Sequence, residues 1–335
     1  NNTGTEASGD YRVGASIGHR NLLGRDHEGS IAFITSPEGF DDVQQFAANY
    51  KIPLYRFGSN LKLTAVQSDI DTGTVAGLFD VAGRGEVFSA AYSHMFSSVG
   101  DYNHGLLVQL ADKLFDNDVT FLNQQVLEDV RSRPLTITYQ ASTEVGENSA
   151  VSGVISYSTN QSGGAFNNAR SYQLSRSGAT NDWDKVELGG SYQVKRKGWL
   201  YKVDLKAAMT SDRLITGEQF AVGGAASVRG LHERELRGDK GYLVSLQAWA
   251  PELYSSLRPI VFLDFAQVRN NQASSAEFDS EDVASIGVML NWNPNEKVSA
   301  TAAYGYLIDG LDESTDPKAS EDGDGKFHFN VSYRF

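Results

Sequence analysis

The sequence predicts an all-β fold, a transmembrane antiparallel β-barrel, and three observations carry that expectation. Apolar and polar side chains alternate along segment after segment of the chain. The polar face of these segments carries charges, and the connections between them alternate between short and long. A strand points successive side chains to opposite faces, so period-two alternation means two different environments. Charges on the inner face make that face wet, whereas a sandwich would bury one face in a dry interior. Short turns on one rim and long loops on the other are the arrangement of outer-membrane barrels.

The last segment, 326–335, shows the alternation without exception. Phe327, Phe329, Val331, Tyr333 and Phe335 share one face, opposed by Lys326, His328, Asn330, Ser332 and Arg334. Trp199, Tyr201, Val203, Leu205, Ala207 and Met209 oppose Lys202, Asp204 and Lys206. Ala284, Ile286, Val288, Leu290 and Trp292 oppose Ser285, Gly287 and Asn291. The same reading places strands at 10–20, 27–36, 43–51, 55–69, 79–96, 102–116, 133–145, 149–160, 183–196, 198–211, 241–250, 258–269, 282–293, 297–307 and 326–335. These are fifteen strands, with 1–9 as a loop. Membrane barrels have an even number of strands, so the parent form is expected to have sixteen, with the first strand missing or partial in this sequence. Every loop is bounded by strands, and 1–335 reads as a single barrel domain.

Composition narrows the class further. The 335 residues are 40% apolar, contain no cysteine and carry a net charge of −13. Mean hydropathy is −0.35, which a barrel reaches because lumen-facing polar residues offset lipid-facing apolar ones. No apolar run is long enough for a transmembrane helix. No signal peptide opens the sequence, as expected of an exported chain in mature or trimmed form. The acidic balance argues against nucleic acid as a partner. Histidines 19, 27, 94, 104, 232 and 328 have no metal-ligand spacing, and there is no GxSxG elbow or cysteine nucleophile, so neither an enzyme, a metal nor a cofactor is expected. The acidic loop 309–325 lacks EF-hand spacing and reads as a solvated surface.

The longest connection, 212–240, carries a string too specific for a linker. Gly223-Gly224 precede Val228-Arg229-Gly230, and Leu236-Arg237-Gly238-Asp239-Lys240-Gly241 follow. The string resembles the barrel of two-partner secretion transporters, the ShlB/FhaC/HecB hemolysin-secretion family, in which a VRG tip and a GD-x-G segment precede the last five strands. Tyr50-Lys51-Ile52-Pro53-Leu54 resembles that family's Y-x-[IV]-P-L turn, and residues 1–26 resemble its first hairpin region. The resemblance therefore spans essentially the whole chain.

That resemblance implies a loop folded back into the lumen, with Arg229 meeting the aspartate of an F-x-D-x-G strand. The matching position is Asp264, and the alternation Val261, Leu263, Phe265 leaves it facing inward. Leu231 stands where the family has an aromatic residue, and Ala266 where it has glycine. The resemblance also implies that the C-terminal aromatic strand, through Phe335, is a signal read by the barrel-assembly machinery. It implies periplasmic POTRA domains upstream and a location in the bacterial outer membrane. The partner would be a secreted polypeptide, such as an adhesin, cytolysin or toxin, carried through a hydrated pore and gated by the VRG loop. Two other classes remain open on these residues: an assembly factor inserting outer-membrane proteins through a lateral seam, and a passive porin.

Overall fold

The computed structural model of the chain describes all residues except 5–8, 41–42, 70–72, 76–78, 82–83, 117–119, 122–123, 126–127, 276 and 312–318. Part of the acidic loop 309–325 thus lies outside the described residues.

Fifteen strands follow one another as an antiparallel meander: β1 (Val13–Leu22), β2 (His27–Thr35), β3 (Gln44–Leu54), β4 (Ser59–Ser68), β5 (Gly85–Met95), β6 (Asn103–Phe115), β7 (Pro134–Glu144), β8 (Ser149–Asn160), β9 (Asp184–Arg196), β10 (Trp199–Met209), β11 (Lys240–Trp249), β12 (Leu257–Arg269), β13 (Ser280–Asn295), β14 (Val298–Asp309) and β15 (Gly325–Tyr333). A sixteenth strand of the sheet, Val130–Ser132, pairs with the end of β6 in the register Val130↔Phe115. No helix is long and apolar enough to cross a membrane. No ladder joins β15 to β1 among the described residues. The N-terminal segment lies along β15 instead. The Asn2 carboxamide donates to the Phe327 carbonyl at 2.5 Å and accepts from the Phe329 N–H at 2.8 Å, one donor and one acceptor, as a neighbouring strand would.

The sheet is inside-out by the standard of a water-soluble fold. On β12, Val261 and Leu263 are 52% and 38% exposed, while Phe262 and Asp264 are 3% and 0%. Trp199, Tyr201, Val203, Leu205 and Met209 all face outward and exposed on β10. A continuous apolar outer surface with polar and charged residues inside suits lipid outside and water within. Near the short-turn rim the rings of His94, Phe96, Tyr102, His104 and Tyr139 pack side by side, an aromatic girdle at interface height.

Four elements differ from the sequence expectation. The strand expected over 55–69 begins at Ser59, after a turn at Tyr55–Phe57. The connection expected over 116–132 contains the strand Val130–Ser132. The strand expected over 79–96 begins only at Gly85, and Phe79–Val81 pairs with Gly73–Val75 in a separate hairpin. Gly85 has φ +143°, a conformation that breaks the extended run although the apolar alternation continues across it. The connection expected over 161–182 contains a helix, α1 (Ala169–Ser175), capped by Asn168, whose side chain accepts from the N–H groups of Arg170 and Ser171. Seven residues make two turns, too few to register as a 3.6-residue period.

The long connections build a cap at their rim. Tyr172 of α1, Trp183, Phe115, Val130, Ala179, Leu214 and Ile215 form one buried cluster there. Burial pushes the Tyr172 phenol up to about 12. A second cluster lies inside the barrel: Val222, Val228, Leu231 and Leu236 of the β10–β11 connection pack on Leu243, Ala266, Val268, Val283 and Leu307 of the wall. A barrel this wide has room for water, so a dry cluster within it marks where the chain has filled its own lumen.

Candidate functional site

The connection from β10 to β11 folds inward as a hairpin, Phe220–Val222 paired with Leu236–Gly238 in the register Phe220↔Gly238. Gly223 and Gly224 open its tip, and the Gly223 N–H donates to Ser227 Oγ at 2.6 Å. Leu236 is buried in the inner cluster, Gly238 lies against Val268, and Gly241 pairs with Val268 in the ladder that starts β11. Val228 is fully buried beside the tip arginine. Gly230 has φ +146° and sits so close to Leu307 that a Cβ would lie 2.9 Å from its side chain. Gly305 of β14 provides the matching floor: a Cβ there would fall 1.7 Å from the Arg229 carbonyl oxygen. The tip and the wall meet backbone to backbone.

Arg229 and Asp264 form a bidentate pair. Arg229 Nε donates to Oδ2 at 2.8 Å and Nη2 to Oδ1 at 2.6 Å, and the Arg229 backbone N–H donates to Oδ2 at 3.2 Å. Ser245 Oγ accepts from Nη2 at 3.0 Å and donates to Oδ1 at 2.7 Å, closing the network. The guanidinium carbon lies 3.5 Å from the centroid of the Phe262 ring. The side chains are 4% and 0% exposed. The planar fork matches the carboxylate, and the aromatic face adds a cation–π contact of about 2 kcal/mol when desolvated.

Leu231, in the place of an aromatic residue, is fully buried in the inner cluster. Ala266, in the place of a glycine, is buried in the same cluster. Both departures are accommodated by apolar packing.

The neck of the hairpin is held by a second arginine. Asp239 is fully buried; its Oδ1 accepts from the Leu214 N–H at 2.9 Å and its Oδ2 from the Asn271 N–H at 2.8 Å. Arg176, the residue that ends α1, reaches Asp239 Oδ1 at 2.5 Å and Glu277 Oε1 at 2.8 Å. Burial raises the Glu277 carboxyl, but hydrogen bonds from Ser274 and Arg176 outweigh it and bring it down to about 2. Between neck and tip, Glu218 is buried with Lys113 Nζ at 2.9 Å and Lys185 Nζ at 3.5 Å. Burial alone would raise its carboxyl; the two lysines prevail and lower it.

Below the tip an open cavity of about 790 Å³ occupies the short-turn half of the lumen. Its wall mixes polar side chains, Gln140, Ser142, Ser152, Ser191, Lys202, Asp204 and Gln247, with apolar ones such as Met95, Val154, Leu205 and Trp249, and Ala225, Ala226, Ser227 and Arg229 close it from above. Among the described residues there is no group of three or more side chains suited to a metal ion.

The structure thus brings Arg229 and Asp264 together, with Val228 and Gly230 beside them. Gly223, Gly224, Leu236, Gly238, Asp239 and Gly241 form the tip and neck of the same hairpin. Phe327, Val331, Tyr333 and Phe335 lie exposed on the outer face of the barrel and take no part in the lumen. Phe329, half-buried, packs its ring against Phe327 and Tyr11. Sequence reasoning missed Ser245, Phe262, Arg176 and the Glu218 trio. Ser245 and Phe262 have inward parity, which was available; Arg176 lies in a connection without any periodic signal.

The sequence profile of the haemolysin secretion/activation protein family ShlB/FhaC/HecB matches residues 1–291. The chain belongs to that family. It is an integral β-barrel of the outer membrane, in a family of secretion transporters. Among solved structures it is similar to CdiB from Escherichia coli, with TM-score 0.79 and 16% identity over 100% of this chain and 61% of that one. CdiB from Acinetobacter baumannii has TM-score 0.67 and 15% identity over 98% and 58% of the two chains. BamA from Haemophilus ducreyi lacking POTRA domains 1–3 has TM-score 0.65 and 14% identity over 97% and 68%. The chain spans about three-fifths of the length of the two CdiB structures. No curated protein sequence matches it.

Proposed function

We propose that the barrel passes a secreted partner polypeptide from the periplasm to the cell surface, and that the 210–239 hairpin closes the path until cargo arrives. The observation that carries this reading is the Arg229–Asp264 pair, bidentate and buried at the tip of a hairpin that fills the lumen. A passive porin would have no use for so closely fitted an obstruction. The wall below the tip interleaves Gln140, Ser142, Ser152, Ser191 and Gln247 with apolar side chains, and these polar groups offer an unfolded chain hydrogen bonds along the path. Transport uses no nucleotide; folding of the cargo outside supplies the drive. Capture of the cargo falls to POTRA domains of the whole protein, and insertion of the barrel to the assembly machinery reading the strand that ends at Phe335.

The test is single-channel conductance of the chain in planar bilayers, beside a deletion of 214–238. A low, flickering current that becomes large and steady on deletion is the expected result. A large, steady current in both would overturn the closing role of the hairpin. Inserted variants of the whole protein that assemble other barrels normally but lose one secreted partner would separate secretion from general assembly.

A further inference from the structure

Arg176 lies far from the tip of the hairpin, yet its guanidinium has no free valence. Nε donates to Glu277 Oε1 at 2.8 Å. Nη1 donates to Asp239 Oδ1 at 2.5 Å and to the Leu214 carbonyl at 2.6 Å. Nη2 donates to Asn270 Oδ1 at 2.9 Å and to Asp239 Oδ2 at 3.3 Å. These five bonds use all five N–H groups that a guanidinium has. The side chain is 9% exposed and Asp239 is 0% exposed, so water does little to screen the pair.

The partners come from two connections, and Arg176 itself from a third. Leu214 enters the lumen hairpin and Asp239 leaves it, and Asp239 Oδ1 also accepts from the Leu214 N–H at 2.9 Å. Arg176 therefore ties both strands of the hairpin's neck to each other. Glu277 and Asn270 belong to the β12–β13 connection, where Arg213 reaches the same Glu277. A hairpin whose neck is cinched to two neighbouring connections cannot swing out of the lumen as a unit, even with its tip released.

We infer that Arg176 is a positioning residue that holds the neck of the hairpin, a second holding point beside the Arg229–Asp264 pair at the tip, so that the hairpin leaves the lumen only when both give way. This rests on the reading of the hairpin as the closing element. Losing a charge-assisted pair of this kind weakens each holding point about 10- to 100-fold. With either one intact the hairpin stays in place, and the loss shows fully only when both are gone.

The chain has no cysteine, so Ala226→Cys at the tip and Ser152→Cys on the cavity wall give a unique pair of spin labels. Both positions are exposed and line the same cavity. Pulsed dipolar spectroscopy on the reconstituted chain reads the tip-to-wall distance in four forms: parent, Arg229→Ala, Arg176→Gln and the double variant. The expected result is a narrow distribution in the first three and a broad, displaced one in the double. Disorder of the cap alone would leave this distance unchanged, because Ala226 and Ser152 line the lumen cavity and neither belongs to the buried cap cluster. If Arg229→Ala alone is as broad as the double, Arg176 holds nothing and the inference is overturned, while the tip lock stands. If Arg176→Gln alone is as broad as the double, the neck holds the hairpin by itself and the tip lock falls. A double variant as narrow as the parent overturns both. Arg176→Lys combined with Arg229→Ala keeps the charge but replaces the planar fork with a single ammonium that cannot hold Asp239, Leu214, Asn270 and Glu277 together, and it is expected to broaden the distribution where Arg176→Gln does not insert. A narrow distribution in that form overturns the inference.

Discussion

The Arg229–Asp264 pair predicts a strongly non-additive mutant cycle. Arg229→Ala leaves Asp264 charged and fully buried without its counter-charge, keeping Ser245 Oγ and the backbone N–H of residue 229 as donors. Asp264→Ala leaves the guanidinium over Phe262 with no counter-charge. Removing one member of a buried pair costs about 3–5 kcal/mol. At about 1.4 kcal/mol per decade, that is about a 10²- to 10⁴-fold fall in the ratio of seated to unseated hairpin, the unseated form remaining the minor one while the neck holds. The cavity beneath the tip admits water, so the lower end of the range applies. Removing both members leaves no orphan charge, and the double variant is expected to be no worse than the more damaging single one. Arg229→Lys should fall between, because an ammonium cannot hold both carboxylate oxygens and Ser245 in one plane. The assay is the open fraction in single-channel records at fixed voltage, for parent, both alanine variants, the double and Arg229→Lys. Additive effects of the two alanine substitutions would refute the pair as one energetic unit. An Arg229→Lys variant indistinguishable from the parent would refute the importance of the fork.

Other consequences follow from particular contacts. Gly305→Ala places a methyl 1.7 Å from the Arg229 carbonyl while leaving an ordinary strand residue behind, so the barrel should insert normally and show a raised open fraction in the same records. Glu277 is held at about 2, below its ordinary value, so it favours the folded cap fully above the usual carboxylate range. That contribution is lost as pH falls from about 4.5 through about 2. Hydrogen exchange over 169–176, corrected for intrinsic rate, should show protection falling across that window, and Glu277→Gln should flatten the dependence. Phe335 is fully exposed, with the centroid of its ring 5.5 Å from that of Tyr333. Its deletion should leave refolding in detergent unchanged while lowering the amount inserted in cells; equal loss in both would mean a purely structural role.

The strands were legible because their information is local. A lipid-facing residue and its lumen-facing neighbour are adjacent in sequence, so Val261 through Phe265 declare two environments within five positions. The boundary at Gly85 was not legible, because it depends on a backbone angle that apolar alternation does not encode. Helix α1 was missed because a two-turn helix held by the Asn168 cap and by Tyr172 burial has no period to read.

The candidate site divides in the same way. Asp264 could be placed inward from parity, and its pairing with Arg229 came from the family's motif rather than from any pattern in the chain. Ser245 faces Asp264 directly in the ladder, but nothing in its own neighbourhood distinguishes it from the other inward serines. Arg176 and Asp239 stand 63 residues apart and Arg229 and Asp264 stand 35 apart.

The sequence by itself determined the class of fold, the strand faces and the rim on which the long connections lie. Each of these follows from side chains choosing between lipid and water one residue at a time. Only the tertiary structure decided that the 210–239 hairpin is held at its neck as well as its tip, and that Gly305 lets its backbone approach the wall. Those outcomes depend on which buried charges meet across the lumen, and a buried charge is set by distant partners rather than by its neighbours in the chain.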